Sequence, residues 1–143
     1  MNKDCIVGFT CGAMDLFLAG HVSMMEYCKL HCDYLMVGLQ TDPSLDRSEK
    51  NAPIQSLVER YVQLRGCSYV DQVVPYRTEE ELVELLTVYS QVINIRFLGD
   101  DWRNKQYTGF ELNIPIHFNP RFHSYSTSEL RERVCIENLK PKK

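Results

Sequence analysis

The sequence predicts an α/β fold with a five-stranded parallel sheet covered by helices on both faces. Three observations carry that prediction. Short apolar runs alternate with segments of helical periodicity along the chain. Those runs are apolar throughout rather than at every second residue, as in strands buried on both sides. Helix start and stop signals fall between them. Strands alternating with amphipathic helices give a parallel sheet with helical layers.

Taken in order, "IVGFT" (6–10) is a short buried strand that ends near Gly12. "HVSMMEYCKLHC" (21–32) carries apolar residues at 22, 25, 28 and 32, a helical spacing. "YLMVGLQ" (34–40) is the second strand. The polar, proline-bearing segment 41–53 is the long irregular stretch of the first half, and long loops in compact domains are often functional. "SLVERYVQLRG" (56–66) opens on Ser56 and stops at Gly66, a capped helix. "VDQVVPY" (70–76) is a third strand, ended by Pro75. In 78–90, Thr78 is an N-cap with acids in the first turn after it. "NIRFLG" (94–99) and "IPIHFN" (114–119) are the fourth and fifth strands. "STSELRERV" (126–134) is a final helix, with Ser126 and Glu129 in a capping-box pattern. Residues 1–143 read as a single domain.

Bulk properties narrow the function. The apolar fraction is 44% and the charged fraction 24%, ordinary values for a globular protein. A net charge of −3, with no basic stripe interleaved with aromatics, argues against nucleic acid as a partner. No apolar run approaches the ~20 residues of a membrane span, and "MNKDCIVGFT" turns polar too soon for a signal peptide. A cytoplasmic protein is expected. Of the six cysteines, Cys28 and Cys32 share one helix face and flank His31. Without a second ligand pair they read as small buried hydrophobes, and no metal site is expected.

Ligands of open parallel sheets bind beyond the carboxyl ends of the strands, so the residues following each strand are the candidates. Gly12 permits a tight turn and close backbone approach. Gly20-His21 sets a donor side chain at a helix start, where free N–H groups favour an anion. Arg121 with Ser126, Thr127 and Ser128 repeats that arrangement at the last helix. Together they would clamp a polyphosphate, although serines at a helix start also serve simply as caps.

These motifs bring a resemblance. "GAMDLFLAGH" (12–21), the Glu59-Arg60 pair, "YVDQV" (69–73), "GDDW" (99–102) and "RFHSYSTS" (121–128) fall in the order and spacing of the nucleotidyltransferase superfamily with the HxGH signature. Within it the chain most resembles the glycerol-3-phosphate cytidylyltransferase type. The resemblance implies a Rossmann-like nucleotidyltransferase fold, a homodimer for which Phe17 is an interface candidate, and transfer of CMP from CTP to a small phosphorylated alcohol such as glycerol 3-phosphate. It implies nucleotide contacts from Gly12, Ala13, Met14, Gly20, His21, Gly99, Asp101, Arg121, Ser126 and Thr127. His21, Lys50 and Arg121 are the expected catalytic residues. Asp15, Lys50, Arg60 and Trp102 are expected at the acceptor, and Mg²⁺ on the phosphates.

The chain also departs from the pattern. Leu18 stands at the first histidine of HxGH, Ala13 and Met14 replace the usual Thr and Phe, and Phe122 and Ser124 differ in the last motif. Losing one charge-stabilising donor typically costs about 10²–10³ in rate. A nucleotide-binding relative with impaired catalysis, and an adenylyltransferase using ATP, are the competing expectations. His123 is a further candidate because it lies inside the last motif, whereas His117 reads as structural.

Overall fold

The computed structural model describes residues 4–121 and 123–142. Phe122, noted above as a departure, and residues 1–3 of the N-terminal stretch lie outside the described residues.

Five parallel strands form one sheet in the order β3-β2-β1-β4-β5. In chain order the main elements are β1 (Val7–Gly12), α1 (Ala19–Leu30), β2 (Tyr34–Gln40), α2 (Leu57–Arg65) and β3 (Gln72–Tyr76). They are followed by α3 (Glu79–Val88), β4 (Ile95–Gly99), β5 (Ile116–Asn119) and α4 (Thr127–Asn138). The order reverses between β1 and β4, which makes a switch point at their carboxyl ends.

Alternation along β2 explains why the sheet is covered twice. Leu35, Val37 and Leu39 join Met25 and Cys28 of α1 and Leu64 of α2 in one core cluster. Met36, on the opposite face, joins Phe9, Tyr76 and Leu82 and Leu86 of α3 in the other. From Leu35 to Leu39 the apolar side chains of β2 therefore meet helix on one side or the other, and a strand that alternated polar with apolar could not sit here. Phe17, the expected interface residue, is partly buried and packs against the first cluster.

Caps account for most helix starts. Ser56 Oγ accepts from Glu59 N–H while Glu59 accepts from Ser56 N–H. Thr78 and Ser126 accept from Glu81 and Glu129 N–H. Helix α1 differs: it begins at Ala19, two residues ahead of the expected start, and its N-cap Leu18 has no side-chain oxygen to offer. Pro75 lies within β3 rather than ending it, opposite Leu39. This is tolerable because β3 is an edge strand with no neighbour on its outer side.

The turn after β1 is strained. Met14, Leu16 and Phe17 all have positive φ, at 51°, 61° and 26°, values unfavourable for residues with a Cβ. Arg60 of α2, only 2% exposed, fastens this turn. Its Nη1 donates to Ala13 O at 2.9 Å and to Gln40 O at 2.7 Å. Its Nη2 donates to Thr41 O and its Nε to Gln55 O. The guanidinium thus joins the ends of β1 and β2 to the loop that leads into α2.

Replacing Arg60 by Met should leave several of these carbonyls unsatisfied and cost about 3 kcal/mol or more. Arg60→Lys should recover only part of that loss, because an ammonium cannot reproduce the planar fork. Urea unfolding midpoints of the three proteins provide the measurement.

Candidate functional site

Two cavities open along the carboxyl edge of the sheet. The first, about 590 Å³, lies between the start of α1, the segment after β4 and the segment joining β5 to α4. The second, about 310 Å³, lies between the end of β1, the 41–56 loop and the inner part of β4. Met24 and Gly99 line both, so the two are neighbours across the switch point.

In the first cavity the chemistry is that of an anion site. Helix α1 has no side-chain cap, so first-turn N–H groups stay open to a ligand. His21 Nδ1 accepts from Leu18 N–H at 3.2 Å. That bond assigns the neutral tautomer with the proton on Nε2. Burial pushes the His21 pKa below its ordinary value, His123 adds to the effect, and Asp15 opposes it. A neutral imidazole with an outward N–H donor results.

His123 repeats the arrangement from the other wall. Its Nδ1 accepts from Tyr125 N–H at 3.1 Å and its ring stacks on Tyr125 at 5.1 Å. A Cβ at Gly20 would stand 2.7 Å from His123 Cε1, so only glycine lets this imidazole come so near the start of α1. Arg121 donates from Nη2 to Tyr125 O and has no other hydrogen-bond or ion-pair partner among the described residues. Ser126 Oγ caps α4, yet its O–H can still donate.

The second cavity gathers cations. Arg47 is paired with Glu79 at 2.8 Å. Lys50 and Arg96 have no carboxylate partner among the described residues. Trp102 closes part of the wall, with Arg47 and Lys105 about 6 Å from its ring.

The residues expected from sequence divide cleanly. Gly20, His21, Gly99, Asp101, Arg121, Ser126 and Thr127 line the first cavity. Gly12, Ala13, Lys50 and Trp102 line the second. Met14, Asp15 and Arg60 line neither. Met14 is turned into the core, and Arg60 is committed to backbone carbonyls as described. The Asp15 carboxylate accepts from Ile54 and Gln55 N–H at 2.9 and 3.0 Å and pairs with Arg131 of α4 at 2.8 Å. Burial alone would raise its pKa, but those hydrogen bonds and Arg131 hold it below the ordinary value. Asp15 and Arg60 hold the site's framework rather than facing either cavity.

Sequence reasoning missed Gln40, Arg47, Arg96 and Asn119, all of which line a cavity. Arg96 had a readable signal, being the one charge inside the apolar run 94–99. Cys28 and Cys32 are buried; Cys32 donates to Cys28 O, Asn119 donates to Cys28 Sγ, and burial pushes the Cys28 thiol up to about 12. The pair packs as apolar side chains. Among the described residues no helix is long and apolar enough to cross a membrane.

A five-stranded parallel sheet with helix starts gathered at its switch point is a Rossmann-like α/β fold built to bind a ligand at that edge. The chain belongs to the cytidylyltransferase-like family, whose model matches residues 9–133. It is 29% identical over 126 residues to glycerol-3-phosphate cytidylyltransferase of Bacillus subtilis (strain 168), covering 88% of this chain and 95% of that protein. It is 34% identical over 127 residues to bifunctional protein HldE of Helicobacter pylori (strain HPAG1). That match covers 88% of this chain but 27% of the relative, so the chain spans about a quarter of it. A solved lipopolysaccharide core biosynthesis protein from Thermoplasma volcanium GSS1 matches with a TM-score of 0.65 at 19% identity, over 86% of this chain and 100% of that one. At that identity the likeness is one of fold.

Asp15→Asn should lower stability at pH 7 by about 1–3 kcal/mol, since it loses a charged acceptor and turns an amide NH₂ toward donors. Because the folded pKa is depressed, the contribution of Asp15 is complete above its unfolded value of about 3.9. It is lost as the pH falls through the lower folded value. Urea midpoints measured from pH 7 down to pH 2 should therefore show the gap between the two proteins closing in acid.

Proposed function

We propose that the chain transfers CMP from CTP to a small phosphorylated alcohol such as glycerol 3-phosphate and releases pyrophosphate. The observation that supports this most is the meeting of the two cavities at Gly99: donors for a polyphosphate line one, and unpaired cations for a second anion line the other. Such a juxtaposition suits a displacement at phosphorus, in which positioning and charge stabilisation do most of the work.

In this reading the triphosphate lies at the uncapped start of α1. The Nε2–H of His21, the free donors of Arg121 and the hydroxyls of Ser126 and Thr127 meet its oxygens, and Gly12, Ala13, Gly20 and Gly99 allow close approach. Lys50 draws in the phosphate of the acceptor. An oxygen of that phosphate attacks the α-phosphorus of CTP and forms the new P–O bond. The bond from the α-phosphorus to the bridging oxygen breaks, and pyrophosphate leaves with its electron pair. The charge that grows on it is met by His21, Arg121 and the α1 N–H groups. His123 brings a second imidazole from the opposite wall, where Leu18 on the α1 side offers none.

Magnesium fits this site as a companion of the phosphates. No group of three or more His, Cys, Asp or Glu side chains forms a cage among the described residues. Of the two carboxylates lining the first cavity, Asp100 is held by Arg103, and Asp101 has no ion-pair partner there. One carboxylate beside a triphosphate suits Mg²⁺, which keeps several waters and takes oxygen ligands from phosphate. Bound, it would neutralise part of the phosphate charge.

Leu18 favours a second reading, a domain that holds nucleotide without turnover. Pyrophosphate release with Mg²⁺, glycerol 3-phosphate and either CTP or ATP separates the two. Turnover by the native chain with CTP, reduced about 10²–10³-fold in His21→Asn, is the expected result. Silence from the native chain with activity in Leu18→His would favour the binding reading. Preference for ATP would replace CTP in the reaction.

A further inference from the structure

The second cavity holds two polar side chains that the fold leaves unfinished. Arg96 of β4 is 3% exposed, and Gln40 at the end of β2 is 6% exposed. Arg96 Nε and Gln40 Nε2 are buried N–H donors without a hydrogen-bond partner among the described residues, and both residues line this cavity. Leaving a buried donor unsatisfied is costly, more so when it is charged.

The rest of Arg96 is well held. It donates through Nη1 to Thr108 O, and its guanidinium carbon lies 5.3 Å from the Tyr107 ring centroid. Gly109, at φ 84°, lets the chain pass close by; a Cβ there would stand 3.2 Å from Arg96 Nη1. The side chain is thus built into place with a donor to spare and no carboxylate to balance it among the described residues. By contrast Glu79 already neutralises Arg47. A ligand that completes this cavity must bring oxygen lone pairs to Arg96 and Gln40, in addition to the anion met by Lys50.

We propose that Arg96 and Gln40 select the acceptor, by receiving a hydroxyl or carboxylate oxygen remote from its phosphate. This rests on reading the second cavity as the acceptor site. An ammonium tail would meet an uncompensated guanidinium there, and a bare alkyl tail would leave both donors buried and unpaired. Sites built to hydrogen-bond a substrate group reject the analogue that lacks it far more strongly than apolar pockets reject a missing methylene.

Titration calorimetry of the full chain with four phosphate monoesters tests the proposal. They are glycerol 3-phosphate, 3-phosphoglycerate, propyl phosphate and phosphoethanolamine. Expected is binding of one or both oxygen-bearing esters at least ~10-fold tighter than either of the others, a gap that collapses in Arg96→Met and narrows in Gln40→Leu. Tighter binding of 3-phosphoglycerate would identify a carboxylate as the oxygen source, and of glycerol 3-phosphate a polyol. Propyl phosphate or phosphoethanolamine within threefold of the best ligand would overturn the proposal, as would no binding by any of the four. Should Arg96→Met fail to fold, the native series and Arg96→Lys, which should retain part of the selectivity, still decide. Pyrophosphate release with CTP is assayed separately. Selective binding without release would count against the proposed transfer while leaving the selection rule intact.

Discussion

The guanidinium of Arg60 is the point on which the functional edge of this molecule depends. It is buried, and it satisfies backbone carbonyls from three places at once: the turn after β1, the end of β2 and the approach to α2. Without it, the buried Gln40 carbonyl would lose its partner, and the half-buried Ala13, Thr41 and Gln55 carbonyls would lose the tie that holds them together. The strained residues Met14, Leu16 and Phe17 lie immediately beyond one of its anchors. Leu16 N–H is taken up by Gln55 Oε1 at 2.8 Å and Asp15 by the backbone of residues 54 and 55. Positive φ values at such residues persist only where surrounding contacts over-determine them, and here Arg60 and Asp15 supply those contacts.

A rigid turn at that place sets everything downstream of it. It decides where α1 starts, and so where the uncapped N–H groups and His21 point. It also sets the distance from β1 to the 41–56 loop that carries Arg47 and Lys50. The two cavities are thus shaped by one buried charge that faces neither of them. Residues at a family motif can earn their place through the backbone they hold.

Much of this was legible in the sequence, for identifiable reasons. Strand and helix order followed from apolar runs and period, because each strand is covered twice and each of α2, α3 and α4 carries its own cap. The start of α1 was misplaced because Leu18 gives no capping signal. Pro75 was misread because its position on the sheet edge depends on strand order, which local sequence does not contain. Arg60 and Asp15 belonged to recognisable motifs, but their partners lie from 5 to 116 residues away. Arg96 was half legible: as the one charge inside "NIRFLG" it stood out, but only the packing around Thr108 and Gly109 makes it a buried guanidinium with a donor left over among the described residues.

Helix α4 gives the first cavity an uneven character. It has no buried residue, and its side chain Arg131 ties it to Asp15 of the turn after β1, outside the cavity. His21 and Gly99, by contrast, are carried on elements packed into the double core. One wall of the cavity therefore rests on elements packed into the double core and the other on a helix with no buried residue, and segments with few buried contacts open first. A ligand that bridges the walls would act as the missing core of α4, so occupancy should be felt as slowed amide exchange along 127–138 before it is felt anywhere else.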